Sequence, residues 1–547
     1  MGIVAVTMGR RELLQATAVA WFAEQALGPD RRIEGQLVGA SHRVGHLLRG
    51  SAASPRKGAM TSPPTESAEV VIVGAGASGL SAAWRLGAAG VPTRLLDLES
   101  FIGGTSTWGE DPSSGRRHPW GAHYLPVPEP GARGALRLLS DLDVLTGWDA
   151  AGRPRFRDDV LCHAPEERVF FRGAWFEGLV PRPALTASER REVDRFVGVV
   201  EALSARRGRD GRPAFTLPGA LSSTDPEFLA LDRMSMAAWL DREGFVTPML
   251  RWLVNYATLD DFGAELDQCS AWAGLLYFAA RAFDSDQLRG SRYLVWPEGN
   301  GYLMRGLARL GAPTVSTGAL VVSLAETKHG VTLHYLDVAT ATRRRIDARA
   351  AVLAVPGFIV SRIFAGPAPR LHRTTSSWLV ANLHLRRRPD TRQAWDSILH
   401  GSNGLGYVDA DHQALRDDDR TTWTYFRAFG GPDPRATRRR LLDQRWAGHA
   451  SDVLADLAPA HPELVGELDR IDVMVWGHAM PRPEPGFLSA GGAATPWSHP
   501  TLLSPRVAWA HVDLTGFALF EEANAHGIRA AEAICDAIDV DRGASWA

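Results

Sequence analysis

Three glycines and one aspartate carry the clearest chemistry in this sequence. The run Gly74-Ala75-Gly76-Ala77-Ser78-Gly79 follows directly on four consecutive apolar residues, Val70-Val71-Ile72-Val73, and Asp97 lies 18 residues beyond Gly79. In such a pattern Gly74 allows a tight turn, Gly76 lets the main chain approach a pyrophosphate, and Gly79 lets a helix pack closely on a strand. The N-terminus of the helix that follows Ala77-Ser78-Gly79 would offer free N–H groups and a partial positive charge to phosphates. A carboxylate at Asp97 can accept hydrogen bonds from ribose hydroxyls. The chemistry these residues suit is dinucleotide binding.

The surrounding elements fit that reading. The apolar run is what a strand buried on both faces requires. Leu80 to Ala89 reads as a helix ended by Gly90, and Thr93 to Leu98 reads as a second strand with Asp97 near its end. A lone G-x-G-x-x-G is weak, but strand, helix and acid in this order are the context that gives it meaning. The unit by itself does not separate one dinucleotide from another.

Composition sets the outer bounds. With 547 residues, 45% of them hydrophobic and 22% charged, the chain exceeds one ordinary core and reads as a globular protein of two or more domains. The net charge of -2 gives no reason to expect nucleic acid or an acidic membrane surface as a partner. Basic residues are almost all arginine; Lys57 and Lys328 are the only lysines. Cys162, Cys269 and Cys535 are far apart, so neither a disulfide framework nor a zinc site is expected. No metal-ligand spacing and no Ser or Cys triad stands out.

At the N-terminus, Arg10-Arg11 precede a short apolar run from Ala16 to Ala23, so residues 1–28 read as a twin-arginine signal or as a retained amphipathic helix. Export and cytoplasmic residence both stay open. No stretch approaches the ~18 apolar residues of a spanning helix, so an integral membrane protein is not expected. Residues 29–67, rich in Ser, Pro and Ala towards their end, read as a linker.

Asp97 is followed six residues later by Gly103-Gly104-Thr105. An acid followed at that distance by Gly-Gly resembles the flavin-containing amine oxidase superfamily, which includes phytoene desaturases and protoporphyrinogen oxidases. Further matches recur in the family's order. His118-Pro119-Trp120-Gly121-Ala122-His123-Tyr124 looks like the segment passing the isoalloxazine ring. Trp296-Pro297-Glu298-Gly299-Asn300-Gly301 leads a helix, and Ala351 to Pro356 closes a later strand block. The resemblance implies FAD as cofactor, with the backbone of Val321 at the adenine end and Asp513 on the ribityl chain. It also implies that the helix opening Phe520-Glu521-Glu522-Ala523 faces the flavin O2. With no Cys at the family's attachment position, the FAD is expected to be non-covalent.

The resemblance further implies an α/β fold in which a Rossmann-like FAD domain (68–135, 291–372 and 486–540) is interleaved with an α+β substrate domain (136–290 and 373–485). Within the latter, Ala271 to Phe278 reads as an aromatic-rich strand. Amine oxidases of this family often place a lysine near flavin N5. The matching strand here, Trp378 to Leu385, has none, and Asn382 is a possible polar substitute. His123 and His478 are further catalytic candidates, able to accept protons near neutral pH. Tyr407, Tyr425, Trp476 and Phe517 are candidates for aromatic walls, and Asp260-Asp261 reads as a helix-end feature or as a site attracting an amine.

The leading expectation is an FAD-dependent oxidase or dehydrogenase passing hydride from an amine or another C–H donor to flavin. A desaturase or isomerase on a larger apolar substrate, and a non-catalytic flavin-binding protein, are the alternatives. Substrate, electron acceptor and oligomeric state are not legible in the sequence.

Overall fold

In the computed structural model, residues 33–39, 41–49, 65–280, 292–367, 371, 373–389, 393–414, 418–492, 497 and 501–546 are described. The expected N-terminal signal falls outside them.

The apolar run 70–73 is the end of a strand, Thr65–Val73, at the middle of a largely parallel sheet. Its neighbours are Thr93–Leu96 on one side and Thr342–Leu353 on the other, both parallel to it. Thr314–Ser316 extends the sheet beyond Thr93–Leu96, again in parallel. Val507–Trp509 pairs in parallel with Ala351 to Leu353. The antiparallel strands Val331–Asp337 and Ala319–Glu326 complete it. Val70, Val71 and Ile72 have no exposed surface, as a strand covered on both faces demands.

Helices Ala77–Ala88, Gly301–Gly311 and Phe520–Ala537 cover one face of this sheet. Close approach depends on glycine. A Cβ at Gly527 would meet Ser78 O at 2.2 Å, and one at Gly311 would meet the Trp84 backbone at 2.6 Å. The C-terminal ends of four parallel strands therefore share one edge, carrying Gly74, Asp97, Ala354 and, one turn after Trp509, Asp513. That edge is where open α/β sheets bind ligands.

The second sheet has the strand order Glu34–Val38, Leu468–Pro481, Thr375–Leu385, Thr421–Phe429, Gly406–Asp409, Asp396–Leu399, Glu167–Phe171, Ala174–Glu177. Side chains alternate across Thr375–Leu385. Leu379, Ala381, Leu383 and Leu385 pack on the core beneath helices Pro434–Asp443 and Trp446–Leu457, while Trp378 and Val380 face the other way. The chain is thus an α/β Rossmann-like domain interleaved with a second, α+β domain.

Two expectations give way here. Residues Ala271–Ala279 form a helix, not a strand, capped where the Ser270 side chain accepts from Trp272 N–H. An unbroken apolar run does not distinguish a buried helix from a buried strand, and this helix is apolar all round because protein surrounds it. The expected linker contains a strand, Glu34–Val38, which pairs in parallel with Arg470 to Met474. No helix among the described residues is long and apolar enough to cross a membrane.

Candidate functional site

The glycine turn forms as its spacing requires. Gly74 has φ +103°, and a Cβ there would sit 2.4 Å from Ala354 O. A Cβ at Gly79 would sit 1.9 Å from Gly74 O. Both positions exclude any side chain. Gly76 is different: it caps the helix Ala77–Ala88 at φ −77° and ψ −174°, and a Cβ there would meet nothing nearer than Gly104 Cα at 3.9 Å. Its bareness serves the space between the helix N-terminus and Gly104, where a phosphate would enter.

Gly103 and Gly104 complete that cradle. Gly103 N–H donates to Ala75 O at 2.8 Å, and Gly103 (φ +106°) and Gly104 (φ +57°) both adopt left-handed backbone. Asp97 closes the turn from below, its two oxygens accepting Ala75 N–H at 2.6 Å and Glu99 N–H at 2.8 Å. Burial pushes its pKa up to about 6, against the lowering influence of those two N–H groups. Each oxygen keeps a free lone pair, enough to accept from a ribose hydroxyl.

The strand bearing Val321 starts beside this acid, with Ala319 N–H donating to Asp97 O at 2.7 Å. Its ladder is interrupted between Val321 and Ser323. Asp513 lies across the sheet edge, its carboxylate accepting Gly357 N–H at 2.7 Å. Burial is the largest influence on Asp513 and pushes its pKa up. His511, the Gly357 N–H and Arg373 together outweigh burial and hold it below the ordinary value.

A cleft of about 790 Å³, counted with its open mouth, lies between the two domains. The dinucleotide side supplies Thr105, Gly121 to Pro126, Asn300 and Ala518 to Glu521; the other side supplies Asp260, Asp261, Trp378, Val380, Trp476, Ala479 and Met480. Gly121 is required because a Cβ there would lie 2.0 Å from Thr105 O. Phe520 opens the helix Phe520–Ala537, whose N-terminus therefore faces the cleft; Ala523, buried, is in its first turn. Asn300 Oδ1 is buried at the cleft with no hydrogen-bond partner. An orphaned acceptor in the cleft, a bare glycine cradle and a buried acid beside it suit a bound dinucleotide.

The catalytic candidates fare unequally. His123 lines the cleft, with Nδ1 3.2 Å from Gly121 O and its ring 4.6 Å from that of Phe426. Burial pushes its pKa from the ordinary 6.5 down to about 4, with the Gly121 hydrogen bond opposing. An unfolded chain takes up a proton here below about 6.5, while the folded ring refuses it until about 4, so stability is lost as pH falls through that window. His123→Gln is expected to flatten this part of the pH dependence, by about 1.4 kcal/mol per pKa unit removed. Denaturant melts at pH 7 and pH 4.5 measure it, and equal slopes in parent and variant would refute the assignment.

Asn382 shares a strand face with Trp378 and Val380 but does not reach the cleft. Its Nδ2 donates to Pro119 O at 3.0 Å and its Oδ1 accepts from Thr424 Oγ1 at 2.6 Å, so it ties the strand to the segment behind the cleft. His478 is exposed at the far end of its strand, with Nδ1 2.8 Å from Thr375 Oγ1 and its ring against Phe358. Of the aromatic candidates only Trp476 is in the wall, held by donation from its Nε1 to Trp120 O at 2.7 Å. Tyr407 stacks on Trp423 and Tyr425 donates to Asp456, both on the opposite face of the sheet. Phe517 packs beside Trp272.

Sequence reasoning passed over Tyr124, Asn300, Trp378 and Met480 as lining residues. Trp378 was within reach, since it precedes Asn382 by four on a strand and so shares its face. No lysine lines the cleft among the described residues, and Lys328 sits in the turn between Ala319–Glu326 and Val331–Asp337. No cluster of potential metal ligands occurs among the described residues.

The family model described as an NAD(P)-binding Rossmann-like domain matches residues 72–142. No curated protein matches the chain. Among solved structures, putrescine oxidase bound to putrescine is similar with a TM-score of 0.61 at 18% identity, over 86% of this chain and 100% of that one. Cyclohexylamine oxidase from Brevibacterium oxydans IH-35A gives 0.61 at 18% identity, over 86% and 99%. The PF1083 protein from Pyrococcus furiosus gives 0.53 at 14% identity, over 87% and 99%. The chain therefore carries a Rossmann-like dinucleotide-binding domain within the two-domain fold it shares with putrescine oxidase and cyclohexylamine oxidase.

Proposed function

We propose that this protein is an FAD-dependent oxidoreductase that oxidises a small, positively charged substrate, an amine by class. The observation that carries the substrate class is the acid pair in the cleft wall. Asp260 and Asp261 lie in the last turn of the helix Pro248–Phe262, where the negative end of the helix dipole disfavours a carboxylate by roughly 0.3–1 kcal/mol. A cationic substrate in the cleft would lie against both carboxylates. Two of the structural neighbours are named for amines, putrescine and cyclohexylamine, which supports the same reading.

The residues divide the work. The turn Gly74 to Gly79, Gly103, Gly104 and Asp97 would hold the adenosine diphosphate portion, with Val321 at the adenine end and Asp513 on the ribityl chain. Trp378 and Trp476 orient a flat or cationic group between them and keep water out. Asp260, accepting from Tyr124 Oη at 3.0 Å, holds the substrate's positive charge. The N-terminus of Phe520–Ala537 favours negative charge at the cleft end it faces. Bound FAD would supply the hydride acceptor.

None of the three cysteines lines the cleft and all are buried, so the cofactor is held without a covalent bond. Denaturation is expected to release free yellow FAD into the supernatant; colour retained on the precipitate would contradict this. Anaerobic addition of polyamines and aromatic amines should bleach the flavin band near ~450 nm, the cofactor being the redox centre. A panel that never bleaches it would remove the amine.

The absence of lysine from the cleft favours one second reading, a desaturase or isomerase on a larger apolar substrate. Bleaching by an apolar polyene, with every amine inert, would establish it in place of the first.

A further inference from the structure

Residues 33–39 and 41–49 run as a strap from one domain to the other. At one end Ile33 is buried in the core of the second domain, and Glu34–Val38 adds to the edge of its sheet. That edge is tightly fitted, since a Cβ at Gly35 would lie 1.9 Å from Ile471 O. At the other end Ser41 N–H donates to both oxygens of Glu99, at 2.9 and 2.8 Å. Beyond it Gly45 packs on Leu98, and Leu48 packs against the cluster containing Val73, Leu96 and Val355. These last residues are the C-terminal ends of the strands that form the dinucleotide edge.

Glu99 belongs to the same turn as Asp97. Its N–H donates to Asp97 Oδ1, and its carbonyl accepts Gly318 N–H at 2.9 Å, just ahead of the strand that carries Val321. The strap therefore grips, from outside, the turn that holds the ribose acid. We propose that it is a clasp on the cofactor, latched by the Glu99 carboxylate on Ser41 N–H, which slows escape of FAD from its adenosine end. This rests on the FAD reading given above.

Ser41 supplies only its main-chain N–H, because its side chain makes no capping hydrogen bond, and its φ of −76° suits proline. Ser41→Pro removes the donor, Glu99→Ala removes the acceptor, and Ser41→Ala leaves the latch intact. The full chain loaded with FAD is followed by two readouts, the rate of FAD dissociation and amide hydrogen exchange over residues 41–49. A hydrogen bond to a charged group of this kind corresponds to about a tenfold effect. Ser41→Pro and Glu99→Ala should each speed FAD loss by about that factor and raise exchange in the strap, while Ser41→Ala changes neither. Faster exchange with FAD dissociating at the parent rate would overturn the proposal, as would variants in which neither readout moves. A parent protein that binds no FAD would instead refute the cofactor reading, and would do so before any variant is made.

Discussion

Valine at position 76 is expected to abolish dinucleotide binding while leaving the chain folded. The backbone at Gly76 is in ordinary extended territory, φ −77° and ψ −174°, open to any residue. A Cβ there has no protein neighbour within 3.9 Å. The cost to the apo protein is limited to a poorer helix N-cap, about 1 kcal/mol. The valine methyls, however, project between the helix N-terminus and Gly104, into the space a pyrophosphate needs. FAD affinity should fall at least about 100-fold, equivalent to about 2.7 kcal/mol. Gly79→Ala makes the contrast, because its Cβ would stand 1.9 Å from Gly74 O and must disturb the turn itself. Titration of apo protein with FAD, alongside thermal melts, separates the two. A Gly76→Val protein that binds FAD as tightly as the parent would show that the cradle does not hold the phosphates.

Asp260→Asn should have the second largest effect, and on the substrate instead of the cofactor. Asparagine keeps the shape and can still accept from Tyr124 Oη through its amide oxygen, so that contact survives the substitution. What disappears is a charge in a cleft walled by Trp378, Trp476 and Val380, where water competes poorly. A charge-assisted hydrogen bond in such a setting is worth roughly 1.5–3 kcal/mol, or about 10- to 100-fold. The loss should appear in KM and kcat/KM for the amine that bleaches the parent, with FAD affinity and neutral substrates unaffected. Asp261, buried beside it, retains part of the field and keeps the effect from being total. An unchanged kcat/KM for that amine would sink the assignment of Asp260 as its anchor.

The features legible in the sequence share a physical property: their partners are close along the chain. Val70 to Val73, the three glycines and the helix after them are contiguous in the chain, although the Ala354 carbonyl, from a distant strand, also presses on Gly74. Gly103-Gly104 was legible by resemblance, and its placement against Ala75 follows from the helix and strand that bring the chain back to the glycine turn. The scarcity of lysine was legible too, since Lys57 and Lys328 are the only two in the chain.

The catalytic candidates were chosen by residue type, and residue type does not say which face of a sheet a side chain occupies. Tyr425 and Phe426 are adjacent on one strand, yet the first is buried against Asp456 and the second packs on His123 in the cleft wall. His478 and Trp476 are two apart on another strand, and an irregularity in the ladder opposite Ser376 to Trp378 falls between them, leaving one exposed and the other in the wall. Asn382 looked like a free polar group and is fully engaged by Pro119 and Thr424, residues far from it in the chain. The segment expected as a linker became an edge strand because a partner strand some 436 residues away offered it a free ladder, as at Gln36 and Asp472.

By itself, then, the sequence determined a dinucleotide-binding βαβ unit, an acid after its second strand and a near-absence of lysine, all set by local spacing or by composition. Only the tertiary structure decided that Asp260, Tyr124, Trp378 and Asn300 meet in one cleft and that the N-terminal strap reaches Glu99. Those contacts join segments that local spacing leaves independent, and packing of the two sheets is what brings them together.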